Sequence, residues 1–322
     1  MKLSIIVCAY NAEKTLTIPL ESLLRQSVPI KIIIVDDGSK DETKRLAESY
    51  VIRYPDQISY HYKKNGGIAS AREFGLSFVD TEYFGYLDAD DEVKEDMAEK
   101  MLAVATKEDS DIVIADFIWR YSDKDVYQDD THHKDKRELL ADGFATIWNK
   151  IYKTSFIRSL DLHFKEGLDF EDTCFSLRLF PNLNKISYIH EAFVYYMQRD
   201  DSITHVYGGS VADMLKVFEV IHAYYESQGL LDAYHTELEY LTTRYFLGSS
   251  YLRAIRIKDK ALRKKVLDSS WDYLNRMYPD FKDNIYLKRK GLKNIYYRHM
   301  SKPLYDLAVH LFRLAYSLKV MR

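Results

Sequence analysis

Short β-branched runs alternate with helical patterns through the first third of the chain, and this alternation restricts the fold more than any other feature. Residues 3–7, with Ile5, Ile6 and Val7, read as a buried strand; residues 31–35, with Ile32, Ile33, Ile34 and Val35, read as a second. Between them Leu16, Leu20, Leu23 and Leu24 fall at helical spacing. Ser39 is placed to cap a second helix whose first turn carries Asp41 and Glu42. Residues 58–62 predict a third strand, residues 68–79 a helix opened by Gly66 and Gly67, residues 83–87 a fourth strand and residues 111–114 a fifth. A β-α-β-α rhythm predicts a largely parallel sheet with helices on both faces. Ligands bind such sheets beyond the carboxyl ends of the strands. The groups closing strands one, two and four are therefore expected to share a crevice: Tyr10 with Asn11, Asp36 with Asp37, and Asp88 to Asp91.

The 322 residues suffice for one large domain or for a catalytic domain with an appendage. From Tyr207 onward the pattern turns helical and stays so, which places a boundary between Asp200 and Gly209 and divides the chain into 1–205 and 206–322. A net charge of −3 gives no bulk affinity for nucleic acid. Cys8 and Cys174 lie in apolar patterns without metal-ligand spacing, which suits a reducing compartment. The apolar run at residues 3–9 is too short for a secretory leader, and no stretch approaches the roughly 20 apolar residues of a membrane span. These features together predict a cytoplasmic location. Most of the 27 tyrosines are expected to pack in the core. The charged segment 119–139, including His132 and His133, reads as a solvated loop rather than a metal site.

Asp88, Ala89, Asp90 and Asp91 follow a buried strand, where carboxylates are costly unless paired or bound to a cation. Oxygen-only ligands suit Mg²⁺ or Mn²⁺, which in turn grip a diphosphate. An acidic turn capping a helix that starts near Val93 is the plainer alternative. Asp36 and Asp37, followed by Gly38 and Ser39, either close a strand-to-helix turn or accept hydrogen bonds from a base or ribose. In the stretch from Asn65 to Arg72, Gly66 and Gly67 admit the backbone close to a ligand and Arg72 can face a phosphate. Glu171 and Asp172 precede an apolar helical pattern, so they also fit an ordinary first turn. Asn149 and Lys150 lie between Ile147 and Ile151, either in a cleft or with the lysine reaching the surface.

In order, these motifs resemble glycosyltransferase family 2, which has the GT-A fold. The carrying residues are Ile5 to Asn11, Val35 to Ser39, Asn65 with Gly67, Ala71 and Arg72, Asp88 to Asp91, Trp148 to Tyr152, and Glu171 with Asp172. The resemblance covers roughly residues 1–205 and implies a Rossmann-like α/β domain with a mixed, mostly parallel sheet, followed by an α-helical region. It implies that Ala9 and Tyr10 hold the uracil of a UDP-sugar and that Asp37 accepts from the base. It puts Arg72 near the nucleotide, Asp88 at the ribose or metal shell, and Asp90 on a Mn²⁺ or Mg²⁺ ion. Asp172 becomes the general base, with Asn149, Lys150 and Glu171 toward the acceptor or donor sugar. The stretch with Tyr195, Tyr196, Arg199, Ser202 and His205 would close over the diphosphate. Cys8 and Glu73 depart from the family's commoner residues. One base on the acceptor side and in-line displacement predict inversion at the anomeric carbon.

Residues 282–322 hold ten Lys and Arg against two Asp, a net of +8. Pro303 opens an amphipathic helix with Leu304, Leu307, Leu311, Leu314 and Leu318 on one face. This basic helix suits an anionic membrane surface, or else packing on the catalytic domain or a second subunit of a homo-oligomer. The expected partners are a UDP-sugar and a glycan or lipid-linked acceptor of a bacterial surface polysaccharide such as capsule or teichoic acid, used at the inner face of the plasma membrane. A non-catalytic sugar-nucleotide-binding or partner-binding protein is the alternative outside enzymes, and a nucleotidyltransferase the alternative within them. The latter lacks its Gly-rich basic loop, since Tyr10 to Glu13 stand there. A dinucleotide dehydrogenase lacks its Gly-x-Gly-x-x-Gly turn.

Overall fold

The computed structural model describes residues 1–198 and 209–317. The chain divides into two compact units. The first comprises Met1–Leu139, Gly143–Gly167 and Glu171–Asp200; the second comprises Leu140–Asp142, Leu168–Phe170 and Asp201–Arg322.

The first unit is built on a nine-stranded sheet. Its strands are β1 (Leu3–Ala9), β2 (Lys31–Asp36), β3 (Ile58–Tyr62), β4 (Tyr83–Asp88), β5 (Glu92–Val93), β6 (Ile112–Arg120), β7 (Asp125–Gln128), β8 (Lys150–Lys153) and β9 (Ile186–Met197). They lie in the order β3-β2-β1-β4-β8-β6-β9-β5, with β7 on β6. β3, β2, β1 and β4 are parallel. β8 enters antiparallel between β4 and β6, and β6 pairs parallel with β9 across an irregularity at Ala115 to Phe117. β1 and β2 are almost wholly buried, which is why both read as unbroken apolar runs rather than alternating ones. The helices are α1 (Thr17–Leu24), α2 (Thr43–Arg53), α3 (Ile68–Leu76), α4 (Met97–Glu108), α5 (Lys136–Asp142), whose last three residues belong to the second unit, α6 (Thr154–Ser159) and α7 (Glu171–Leu179). α3 packs tightly on the sheet because Gly75 has no side chain: a Cβ there would lie 2.5 Å from Ile6 Cγ2.

Three local expectations are corrected. Ser39 does not cap α2, which starts at Thr43; its Oγ accepts from the Asn11 amide instead. Val93 does not open a helix: Glu92 and Val93 form β5 against β9, and α4 begins at Met97. His133 is not solvated, being 5% exposed and within 3.4 Å of Asp130, whereas His132 stays exposed.

The second unit contains α8 (Asp213–Ser227), α9 (Leu231–Arg244), α10 (Ser250–Ala254), α11 (Lys260–Met277), α12 (Leu292–His299) and α13 (Lys302–Ser317). A π-helical turn at Tyr245–Ser249 joins α9 to α10. Tyr225, Tyr251, Tyr297 and Tyr305 are buried here, so these tyrosines do serve the core. The Tyr251 hydroxyl donates to the Tyr305 carbonyl and the Tyr305 hydroxyl to that of Leu267, which satisfies their polar tips. α13 has two faces. Tyr305 faces inward, Lys302 is paired with Asp268 and Asp306, and Arg313 donates to the Ile255 carbonyl. Leu304, Leu307, Leu311 and Leu314 are exposed. The basic groups described on α13 are thus tied to the unit rather than beside its leucine face. Among the described residues, no helix is long and apolar enough to cross a membrane.

Candidate active site

Ala9 at the end of β1 lies opposite Asp36 of β2, and Cys8 lies opposite Asp88 of β4. The polar groups that follow these three parallel strands therefore share one edge of the sheet. The loop after β1 is fastened to the loop after β2. Asn11, in the left-handed region at φ 49°, accepts through Oδ1 from the Lys40 amide at 2.9 Å, and the Ala12 amide donates to Thr43 Oγ1 at 2.7 Å. Tyr10 beside them leaves half of its surface open. Asp36 is fully buried and structural, accepting from Tyr60 Oη at 2.7 Å and the Ser39 amide at 2.8 Å.

Asp37 builds the turn that opens α3. Its Oδ1 accepts from Lys63 Nζ at 2.7 Å and the Gly66 amide at 3.0 Å, and its Oδ2 from the Gly67 amide at 2.8 Å. Gly38, at φ 77°, allows the close approach of this turn, since a Cβ there would lie 2.8 Å from the Asn65 nitrogen. One turn of helix later α3 carries Arg72, buried at 5% exposure.

Arg72 joins acids that are far apart in sequence. Its Nη2 donates to Asp88 Oδ1 at 3.1 Å, and its Nη1 is paired with Glu171 at the start of α7. Burial disfavours its charge, but Glu171 and Asp88 more than restore it. Cys8 lies within electrostatic reach of Arg72, Asp88, Asp37 and Glu171, and burial pushes its thiol up to about 12, well away from a reactive thiolate. Burial also pushes the Glu171 carboxyl up to about 7, against the pull of Arg72 and with a contribution from Asp172. Asp172 is half-buried, and its charge is felt at Arg72, Lys150 and Tyr152. The first unit thus brings Arg72, Asp88, Glu171 and Asp172 into electrostatic range of one another, with Asp37 in range of the adjoining Cys8.

Asp88 to Asp91 form the turn between β4 and β5, and Asp91 fixes it by accepting from the Met197 amide at 2.8 Å. Asp88 and Asp90 are both half-buried. Among the described residues no group of three or more His, Cys, Asp or Glu converges as a metal cage. Two carboxylates on one turn fit a hard divalent ion that keeps waters and takes its remaining ligands from substrate phosphates.

Asn149 and Lys150 are buried among other polar groups. The Lys150 ammonium has no exposed surface and donates to Asp130 Oδ2 at 3.1 Å, the Phe144 carbonyl at 3.1 Å and Asn149 Oδ1 at 2.8 Å. The Asn149 amide donates to Asp130 Oδ2 and to the Ala115 carbonyl. Burial works to raise the Asp130 carboxyl, but Lys150, His133, the Phe144 amide and Asn149 outweigh it and hold it at about 2. Sequence reasoning missed Asp130, which sits in a charged stretch without periodicity, and Lys63, which belongs to no motif. Arg199, Ser202 and His205 lie outside the described residues.

Comparison with known proteins bears on this geometry. The model of the family "Glycosyl transferase family 2" matches residues 4–178, more than half of the chain. The uncharacterized glycosyltransferase EpsJ of Bacillus subtilis is 29% identical over 281 residues, 82% of this chain and 81% of EpsJ. The poly(ribitol-phosphate) β-N-acetylglucosaminyltransferase TarS of Staphylococcus aureus is 27% identical over 61% of this chain and 35% of TarS. The crystal structure of TarS residues 1–349 with UDP-GlcNAc shares the fold at a TM-score of 0.74 and 21% identity, covering 99% of this chain and 92% of that one. A Pyrobaculum calidifontis mannosyltransferase with GDP-Man and Mn²⁺ shares it at 0.52 and 13% identity, covering 87% and 88%.

Proposed function

The chain belongs to glycosyl transferase family 2, and from that premise we propose that it moves a sugar from a UDP-sugar to a hydroxyl of a glycan or lipid-linked acceptor, with inversion, in building a bacterial surface polysaccharide. The observation that carries this reading is the Arg72 bridge, which ties the acidic turn after β4 to the acidic start of α7. A sugar hydroxyl is a weak nucleophile, and a carboxylate placed to take its proton contributes typically 10²–10⁴-fold. Asp172 is the base in this scheme. Glu171 beside it holds Arg72, so the base sits on a helix end anchored to the nucleotide side. Tyr10 and the Ala9 backbone hold the uracil. Asp37 shapes the turn before α3 and keeps acceptor capacity on Oδ2 for the base.

Asp90, with Asp88 in its shell, would hold Mn²⁺ or Mg²⁺. When bound, such an ion offsets the charge that develops on the leaving diphosphate. Asn149 and Lys150 act through Asp130 as positioning residues rather than by touching sugar. UDP-GlcNAc is the first donor to test, because TarS is an N-acetylglucosaminyltransferase with a UDP-GlcNAc complex. The domain division proposed is a transferase domain over 1–205 and a helical region over 206–322.

The deciding experiment is a panel of UDP-sugars with Mn²⁺, scored for thermal protection and for donor hydrolysis. One donor is expected to raise the melting temperature by several degrees at saturation, by mass action, and to be slowly hydrolysed. Protection without any turnover would leave a sugar-nucleotide-binding protein, and neither response to any UDP-sugar would overturn the reading.

A further inference from the structure

The helical unit carries a concentration of positive charge that the transfer reaction does not use. Arg289 at the end of the turn before α12 is paired with Asp142, and Arg244 at the end of α9 approaches the same carboxylate at 3.9 Å. Lys293 lies within electrostatic reach of both Arg244 and Asp142, with its Nζ 5.9 Å from the Tyr297 ring centre. Three cations thus surround one carboxylate. Lys288 and Lys290 are exposed just before α12 and extend the excess.

The same segment exposes aliphatic side chains. Ile285 is 63% exposed, Leu292 87% and Ile295 49%, while Asn294 and Tyr297 of α12 turn inward. Leu292, Ile295 and His299 fall on one face of α12, flanked by Lys293 on one side and Arg298 on the other. An apolar stripe with basic flanks is the pattern of a helix that lies in a membrane interface. Large aliphatic groups grouped in water beside exposed lysines mark a contact surface.

We propose that this face of α12 docks on an anionic lipid bilayer, with lipid phosphates at Lys288, Lys290 and Lys293 and with Leu292 and Ile295 in the headgroup boundary. A bilayer satisfies both halves of the surface. A second copy of the chain, meeting it about a two-fold axis, would set like charges against like charges. A soluble phosphate-bearing glycan would answer the cations and leave the aliphatic groups in water.

This inference deepens the reading of a membrane-side acceptor and rests on it for direction alone. Vesicle binding is measured without donor or acceptor, so its failure leaves the transferase reading standing, and absence of transfer does not touch vesicle binding. The test is co-sedimentation of the full chain with phosphatidylcholine vesicles, alone or with phosphatidylglycerol at about three in ten lipids, at low salt. Phosphatidylglycerol is expected to increase binding strongly. The variant Lys288→Glu/Lys290→Glu/Lys293→Glu should then lose roughly tenfold or more. Leu292→Ser/Ile295→Ser should lose binding at unchanged charge. All five side chains are exposed, and unchanged melting of both variants excludes misfolding as the cause. Equal binding to both vesicle types, or wild-type binding by the charge variant, overturns the proposal. So does light scattering that finds a wild-type dimer which Leu292→Ser/Ile295→Ser dissolves, or tripolyphosphate binding without vesicle binding.

Discussion

Glu171 answers to two neighbours at once: it neutralises Arg72 and it lies beside Asp172, whose negative charge it must tolerate. Burial and that neighbour keep its carboxyl near 7, above its usual value of 4.5. A carboxyl that titrates higher in the folded chain than in the unfolded one holds its proton longer in the native state. Its contribution is complete below about 4.5 and disappears as pH rises through about 7. The stability of the wild type relative to Glu171→Gln, measured by denaturant melts of the metal-free protein, should therefore decline between those values. A constant difference across the window would show that Glu171 is ionised throughout. Asp172→Asn should keep donor binding and lose transfer by roughly 10²–10⁴-fold, as removal of a general base requires. Asp90→Ala should instead lose the Mn²⁺-dependent part of donor binding in calorimetry. Full transfer by Asp172→Asn would remove the proposed base.

Between β6 and β8 the Asp130–Lys150 pair is the charged equivalent of a core contact, because both side chains are wholly buried. Removing one partner strands the other, at a cost of about 3–5 kcal/mol. Lys150→Met should destabilise by about that amount in equilibrium unfolding, and adding Asp130→Asn, which removes the stranded charge and keeps an acceptor for the Phe144 amide, should cost less than the two single losses together. If the two losses simply add, the pair is not the unit of stability inferred here. At this scale the sequence was legible where periodicity governs. The strands at residues 3–9, 31–36 and 83–88 stand where the apolar runs placed them, since a strand covered on both faces needs such a run, and the half-buried edge strand stands at 58–62 as expected. It was illegible where a distant partner decides. Ser39 looks like a helix cap, but the Asn11 amide claims its hydroxyl. Glu92 and Val93 look like a helix start until β9 supplies the strand that pairs with them. His133 and Asp130 lie in a charged stretch, and only the sheet beneath reveals them as interior groups. The acidic motifs of the site could be read one by one, but the Arg72 bond that joins two of them could not.

Charge is distributed unevenly over the molecule. The whole chain is slightly acidic at −3, yet residues 282–322 carry ten cationic side chains and two acidic ones. Association with acidic vesicles should therefore depend on a local field rather than on net charge, and should fall steeply as salt rises from about 0.05 to 0.5 M, where screening shortens to a few ångströms. Binding indifferent to salt would point to insertion of apolar groups alone. The fold has a different consequence for anyone recombining such enzymes. Arg72 comes from the half of the sheet proposed to receive the nucleotide, and Glu171 opens the segment proposed to select the acceptor. A chimera that takes these segments from two parents inherits a buried cation from one and its counter-charge from the other. Acceptor preference can thus be grafted only where both parents already agree on that pair.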